Sequence, residues 1–474
     1  MLTTKTILGA GWTVSSRMAG RLVDFVTILV LARALSPADF GLTAIATTLI
    51  SIVDTVLEVP LILALTSLNR ITKTHLDTAF TLGVIRGAVF SLVVLAAAWP
   101  FAHVYGDHRL MALVATLAIG PIARSLYSPA MVTYIREMSF RQGFIAEFAG
   151  KIIASAIAIS VALMGGGYWA IVAASVSSHL ANTLLSYVIA RYRPRLSLAE
   201  FPAFSSFLGW FSSAQVFTAL SWQFDRILLG YFITKSDLGQ YSMASDLSVL
   251  PTQSLIGPAM QPLVSAFARI NDNRERLRRA YSKASRFTMT LAAPTCIGMS
   301  VTSDLLINVL LGAKWTEAAV YLQWLALSVV LNAFYQPLHS LAVAMNRTNL
   351  IFRLSAMELC IRIVLVAAGL YFYSIMGVIL ARVAVSLIMF ILSLISARYL
   401  IGIRVASEIA NLWQVAAACA AMALFTIAFR HQLAGLHLPA FAELGMTAAF
   451  GALVYAGALF GLGVRVKDYV VTTE

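Results

Sequence analysis

The chain has 474 residues, 60% of them hydrophobic and 12% charged, with a formal net charge of +13 and a mean hydropathy of +0.84. Soluble globular chains run nearer half apolar and a quarter charged, so this composition excludes a water-soluble globule. Apolar stretches of about 20 residues between short polar breaks, with no sustained two-residue alternation, predict an all-α polytopic membrane protein and not a spanning β-barrel.

In chain order the predicted spans are 7–32, 39–65, 77–102, 110–131, 143–164, 167–190, 204–232, 238–266, 287–311, 317–343, 352–372, 376–397, 409–429 and 440–463, about fourteen in all. The first is too long and too charged for a cleavable signal. One alternate set of connections carries 21 Lys/Arg, among them Arg70, Lys73, Arg191, Arg193 and Arg195, and the other carries five: Arg33, Arg109, Lys235, Lys314 and Arg430. That asymmetry puts both termini in the cytoplasm. The basic balance is therefore mainly a topology signal and not a nucleic-acid footprint. The richest connection, RINDNRERLRRAYSKASR at 269–286, reads either as a plain cytoplasmic anchor or as a polybasic helix on anionic lipid, with Ile270, Leu277 and Tyr281 facing inward.

Short outward connections leave no room for an extracytoplasmic domain, and no phosphate loop of the GxxxxGK[ST] type occurs. Cys296, Cys360 and Cys419 are isolated thiols without metal-ligand spacing. No catalytic residue, cofactor or metal is expected.

The second span begins with an internal repeat. ALSPADFGLTAIA (34–46) aligns with FITKSDLGQYSMA (232–244) at an offset of 198, matching Asp39, Gly41 and Ala46 to Asp237, Gly239 and Ala244. The match continues through Leu49, Leu57, Pro60 and Leu65 to Leu247, Leu255, Pro258 and Leu263. Duplication gives two six-helix lobes, 1–190 and 204–397, joined by a cytoplasmic linker, RYRPRLSLAEFPA (191–203); 398–474 supplies an added helical pair and a cytoplasmic tail. An even number of spans per copy predicts parallel repeats with a substrate site where the halves meet. Asp39 and Asp237 are expected to cap the helices that follow, and Pro60 and Pro258 to kink them.

Charges inside spans are costly and mark either function or pairing. Arg17, Arg21 and Asp24 share one face of the first span, and Arg86, Arg124 and Lys151 recur through the first half. Internal pairs such as Arg21–Asp24 and Glu147–Lys151 are the structural alternative. Asp54, Glu58, Asp225, Asp246 and Glu358 are candidates for ion coupling or for pairing with arginines such as Arg226 and Arg362. Ser212, Ser213, Gln215, Thr218, Ser221 and Gln223 crowd the seventh span, and Asn332, Gln336 and His339 the tenth, as a hydrated lining would require. Trp210, Phe211, Trp222, Phe224, Trp324 and Tyr335 suit stacking on sugars or ordinary packing.

LARALSPADFG (31–41), DRILLGYFITKSDLGQYSMA (225–244) and LLGAKW (310–315) resemble the polysaccharide transporters, the Wzx-like flippases of the multidrug/oligosaccharidyl-lipid/polysaccharide exporter superfamily. The resemblance covers the whole chain. It implies movement of an undecaprenyl-diphosphate-linked oligosaccharide across a bacterial inner membrane, with a polymerase and export machinery as partners. On that expectation Arg17, Arg21, Arg86, Arg124 and Lys151 line a cationic cavity for the diphosphate. A drug antiporter or a lipid II flippase of the same superfamily is the nearest alternative. A membrane glycosyltransferase or polymerase is a more distant one, disfavoured by the short outward loops.

Overall fold

A computed structural model describes residues 19–464 apart from 59–60, 69, 138, 140 and 437. Every regular element among them is helical. The chain divides into two compact units, Met1–Gly239 and Gln240–Glu474.

The first unit holds α1 (19–34), α2 (Pro37–Val56), α3 (Leu61–Ser67), α4 (Lys73–Val104), α5 (Arg109–Leu117), α6 (Ile119–Ser125), α7 (Val132–Arg136), α8 (Arg141–Leu163), α9 (Trp169–Ile189), α10 (Phe201–Phe232) and the first turn of α11 (Lys235–Pro251). The second unit continues through a π-helical turn (Thr252–Ile256) into α12 (Gly257–Arg269), α13 (Arg274–Val301), α14 (Ser303–Leu310), α15 (Thr316–Ala333), α16 (Tyr335–Ala344), α17 (Thr348–Ile401), α18 (Val405–Leu433) and α19 (Ala440–Gly461).

Among the described residues eight helices are long and apolar enough to cross a membrane, or ten if two bent pairs each count as one span. The bends are 51° after α6 and 77° between α13 and α14. The protein is thus an all-α polytopic membrane protein. Predicted span 7–32 lies partly outside the described residues, and 238–266 is divided by the π-helical turn into α11 and α12. The 54-residue α17 is two helices joined at Tyr373 and Ser374, where Ser374 has φ +52 and ψ −139. Across that break the backbones at Gly369 and Gly377 touch; a Cβ on Gly377 would lie 1.8 Å from the Gly369 carbonyl oxygen.

Side-chain contacts fix helix direction within each unit. Asp24 meets Lys151 and Thr27 meets Ser155, so α1 and α8 run parallel. Ser282 meets Glu408, Arg286 meets Gln414 and the Val301 carbonyl meets Arg430, so α13 and α18 run parallel as well. Gln414 bonds the Leu462 carbonyl and Thr426 faces Gly451, which makes α18 and α19 an antiparallel hairpin. In the basic stretch 269–286 the Asn273 side chain accepts from the amides of Glu275 and Arg276 and starts α13. Leu277 and Tyr281 are then buried at 1% and 0% exposure, with Ile270 packed against the same cluster. Their spacing of four places them on one helix face.

The two matched stretches start and break their helices alike. The Ser36 hydroxyl accepts from the Asp39 amide while Asp39 accepts from the Ser36 amide, a capping box with Pro37 in the first turn. The Thr234 hydroxyl accepts from the Asp237 amide in the second copy. Ser and Thr are therefore the caps, and Asp39 is the residue that reaches back. The first copy breaks between α2 and α3, and the second at the π-helical turn, 198 residues on.

Candidate functional site

Within the first unit the starts of α2 and α11 meet face to face. A Cβ built on Gly41 would lie 1.7 Å from the Lys235 carbonyl oxygen, and one on Gly239 would lie 1.8 Å from the Pro37 carbonyl oxygen. Residues 37 and 235, like 41 and 239, are equivalent under the offset of 198, so the contact is reciprocal. Only glycine permits such an approach. Lys235 also pairs with Asp107 in the α4–α5 connection, and Arg109 holds the same carboxylate at 2.9 Å while its guanidinium lies 5.8 Å from the Tyr168 ring centroid. Hydrogen bonds from Arg109, aided by Lys235, hold the Asp107 carboxyl well below the usual carboxylate range despite its burial.

Deeper in the first unit, α2 ends at Val56 and leaves helix carbonyls without partners. Arg86 of α4 takes them: its Nε donates to the Leu57 carbonyl at 2.7 Å, and Nη2 to the Asp54 carbonyl at 3.2 Å and to Asp54 Oδ1 at 2.6 Å. Its Nη1 donates to Ser125 Oγ at 3.3 Å. Arg124 Nη2 binds the other Asp54 oxygen at 2.8 Å and stands 4.0 Å from Glu58. Gly83 and Gly87 allow α4 to approach α6 at Ser125, which brings the two arginines together. The Arg86 side chain is 9% exposed and its donors are engaged, whereas Arg124 is 41% exposed and presents donors outward.

A second group joins α1 to α8. Lys151 Nζ lies 2.6 Å from Asp24 Oδ2 and 3.6 Å from Glu147 Oε1. Arg21 is half-buried one turn before Asp24, and Arg17 lies outside the described residues. The sequence-predicted pair Glu147–Lys151 is present, and Asp24 takes Lys151 from another helix. The two groups together bring Arg86, Arg124, Asp54 and Glu58 to one place and Lys151 and Asp24 to another. Their charges are largely balanced, so the arginines here are tempered by carboxylates.

Elsewhere, Asp225 is buried in α10 and Asp246 is exposed on α11. Glu358 binds Arg362 at 2.7 Å within one helix face. Side chains 205–216 and 218 in α10, which include most of the predicted polar lining of the seventh span, lie outside the described side chains, as does that of Pro258; Pro60 is outside the described residues. Sequence reasoning missed Arg382, whose Nη1 donates to Tyr241 Oη at 3.0 Å and Ser245 Oγ at 2.9 Å. It also missed Glu408, fully buried at the start of α18 and accepting from the Ser282 hydroxyl at 2.7 Å. Arg382 carried a signal, being a lone arginine inside an apolar span; Glu408 carried none, since it sits among loop charges.

Residues 30–320 match the family model described as polysaccharide biosynthesis protein. The chain is 28% identical over 327 residues to the succinoglycan biosynthesis transport protein ExoT of Rhizobium meliloti (strain 1021), covering 67% of this chain and 65% of that one. It is 24% identical over 420 residues to the lipopolysaccharide biosynthesis protein WzxC of Escherichia coli (strain K12), covering 86% and 84%. Among solved structures, the lipid II flippase MurJ in its inward closed conformation superposes with a TM-score of 0.73 at 15% identity, over 97% of this chain and 100% of that one. That last likeness is one of fold.

Proposed function

Because the chain belongs to the polysaccharide biosynthesis protein family, the Wzx-type transporters of the multidrug/oligosaccharidyl-lipid/polysaccharide exporter superfamily, we propose that it flips an undecaprenyl-diphosphate-linked oligosaccharide across the bacterial inner membrane. It is a transporter and not an enzyme. The proposal includes fourteen crossings with both termini cytoplasmic. Two six-helix lobes, 1–190 and 204–397, work by alternating access; 191–203 links them and 398–474 adds a pair. The oligosaccharide is a repeat unit of exopolysaccharide, capsule or O-antigen, delivered to a polymerase and export machinery.

The observation that supports this reading is the arginine pair on Asp54, set among membrane-spanning helices. A diphosphate cannot cross hydrocarbon bare, and guanidinium offers it paired donors. Arg86 is committed to the broken end of α2, so its role is to hold Asp54 and Arg124 in place. Arg124 presents the donors, with Arg21, Arg17 and Lys151 as further cations. Asp54 and Glu58 compete with phosphate for Arg124, which keeps binding weak enough for release on the far side. Asp24, Asp225, Asp246 and Glu358 remain candidates for ion coupling or for structural pairing.

The test is equilibrium binding of an undecaprenyl-diphosphate oligosaccharide to the purified protein, wild type against Arg124→Gln. Loss of about tenfold in affinity, equivalent to about 1.4 kcal/mol, is expected. Unchanged affinity with intact folding would remove Arg124 from the site.

A further inference from the structure

The connection from α9 to α10 reads in the sequence as a linker, yet residues 191–198 are strapped along the first turns of α4. The Tyr192 hydroxyl donates to Asp77 Oδ1 at 2.5 Å, and the Ser197 amide to Thr81 Oγ1 at 2.8 Å. The Glu200 amide donates to Thr78 Oγ1 at 3.3 Å, and its carboxylate accepts from Thr74 at 3.3 Å and faces His75 Nε2 at 3.7 Å. Positions 74, 75, 77, 78 and 81 share one helical face, which makes α4 a continuous rail for the strap.

Tyr192 turns toward α4 while Arg191 and Arg193 on either side of it, and Arg195, are exposed. Among the described residues no ion pair involves these three arginines. Leu196 and Leu198, 72% and 49% exposed, continue the same outer edge. Both α4 and α9 are candidate spans, and the strap lies where α4 begins and α9 ends, at the level of a membrane surface.

We propose that this strap binds the phosphate headgroups of anionic phospholipids. The inference rests on α4 and α9 being membrane spans and is independent of which substrate the protein moves. Three guanidinium groups carried on residues 191 to 195 are spread over up to about 14 Å of chain. That spacing lets each guanidinium meet a separate headgroup of a lipid surface. The two leucines reach the apolar layer beneath those headgroups. Because α4 already orders the strap, binding costs little further backbone freedom. Anionic surfaces favour each such basic residue about fivefold.

The experiment measures amide hydrogen exchange of 191–200 in the full-length protein, in nanodiscs of phosphatidylcholine alone or mixed with phosphatidylglycerol. The amides of Ser197 and Glu200 report strap opening. The expected result is exchange at least about fivefold slower with phosphatidylglycerol. In Arg191→Gln/Arg193→Gln/Arg195→Gln that lipid effect disappears while exchange in phosphatidylcholine stays as in wild type. High salt, which shortens the screening length to about 3 Å at 1 M, removes it in wild type too. Equal exchange in the two lipids overturns the proposal, as does a lipid effect that survives either the substitutions or the salt. Inorganic pyrophosphate producing the same slowing in phosphatidylcholine nanodiscs would also overturn it, by assigning the strap to a soluble phosphate ligand.

Discussion

A methyl group at Gly41 should be among the most damaging small changes in this protein. Carbon-to-oxygen contacts settle at about 3.3–3.6 Å. With Cβ only 1.7 Å from the Lys235 carbonyl oxygen, the starts of α2 and α11 must part by about 1.6 Å in Gly41→Ala. Overpacking costs about 1–3 kcal/mol when side chains can yield. Here the obstacle is backbone, and Lys235 is also tied to Asp107, so a loss of about 3 kcal/mol is expected. Reciprocity makes Gly239→Ala cost the same within about 1 kcal/mol. Once the backbones have parted for one methyl, the second needs little more room, so the double variant should lose clearly less than the sum. Gly143→Ala is the control, since a Cβ there meets nothing within 4 Å on a helical residue; it should be neutral or stabilising by about 0.5–1 kcal/mol. Thermal and denaturant unfolding in detergent measure all four. Wild-type stability in Gly41→Ala, or full additivity in the double variant, would refute the reciprocal contact.

Other outcomes follow from the same geometry. Asp54→Asn removes the carboxylate shared by Arg86 and Arg124 and should cost about 3 kcal/mol, whereas Arg124→Gln, at a more exposed group, should cost under about 1 kcal/mol; unfolding midpoints distinguish the two. Because the folded Asp107 carboxyl sits below its ordinary value, its contribution is full above about pH 4 and is lost as pH falls further. The stability gap between wild type and Asp107→Asn should therefore be flat from pH 5 to 8 and shrink in stronger acid; a gap that shrinks on going to pH 8 would contradict this. Ser374→Gly relieves a positive φ at the α17 break and should raise stability by about 1 kcal/mol, read as a higher unfolding midpoint.

The all-α membrane fold was legible because it is written locally, in runs of apolar residues. Asp39/Gly41 and Asp237/Gly239 could be paired on paper, but nothing in the sequence said that the matched glycines would touch. Same-helix pairs, Glu147–Lys151 and Glu358–Arg362, followed from i,i+4 spacing. Pairs across helices did not, since the partner depends on packing: Lys151 with Asp24, Arg86 with the carbonyls of a broken helix, Lys235 with Asp107. The strap was hidden for the same reason, because Thr78 and Thr81 reveal their role only when residues 197 and 200 lie against them.

Translocation in proteoliposomes is the decisive assay of the proposed flipping. A fluorescent undecaprenyl-diphosphate oligosaccharide is placed in one leaflet and its arrival in the other is timed, for wild type and for Arg17→Ala/Arg21→Ala and Arg124→Ala at matched reconstitution. Wild type should flip the lipid well above protein-free vesicles, and the arginine variants should show a marked loss with folding intact. Vesicles that export a small cationic dye but leave the lipid-linked oligosaccharide unmoved would contradict it.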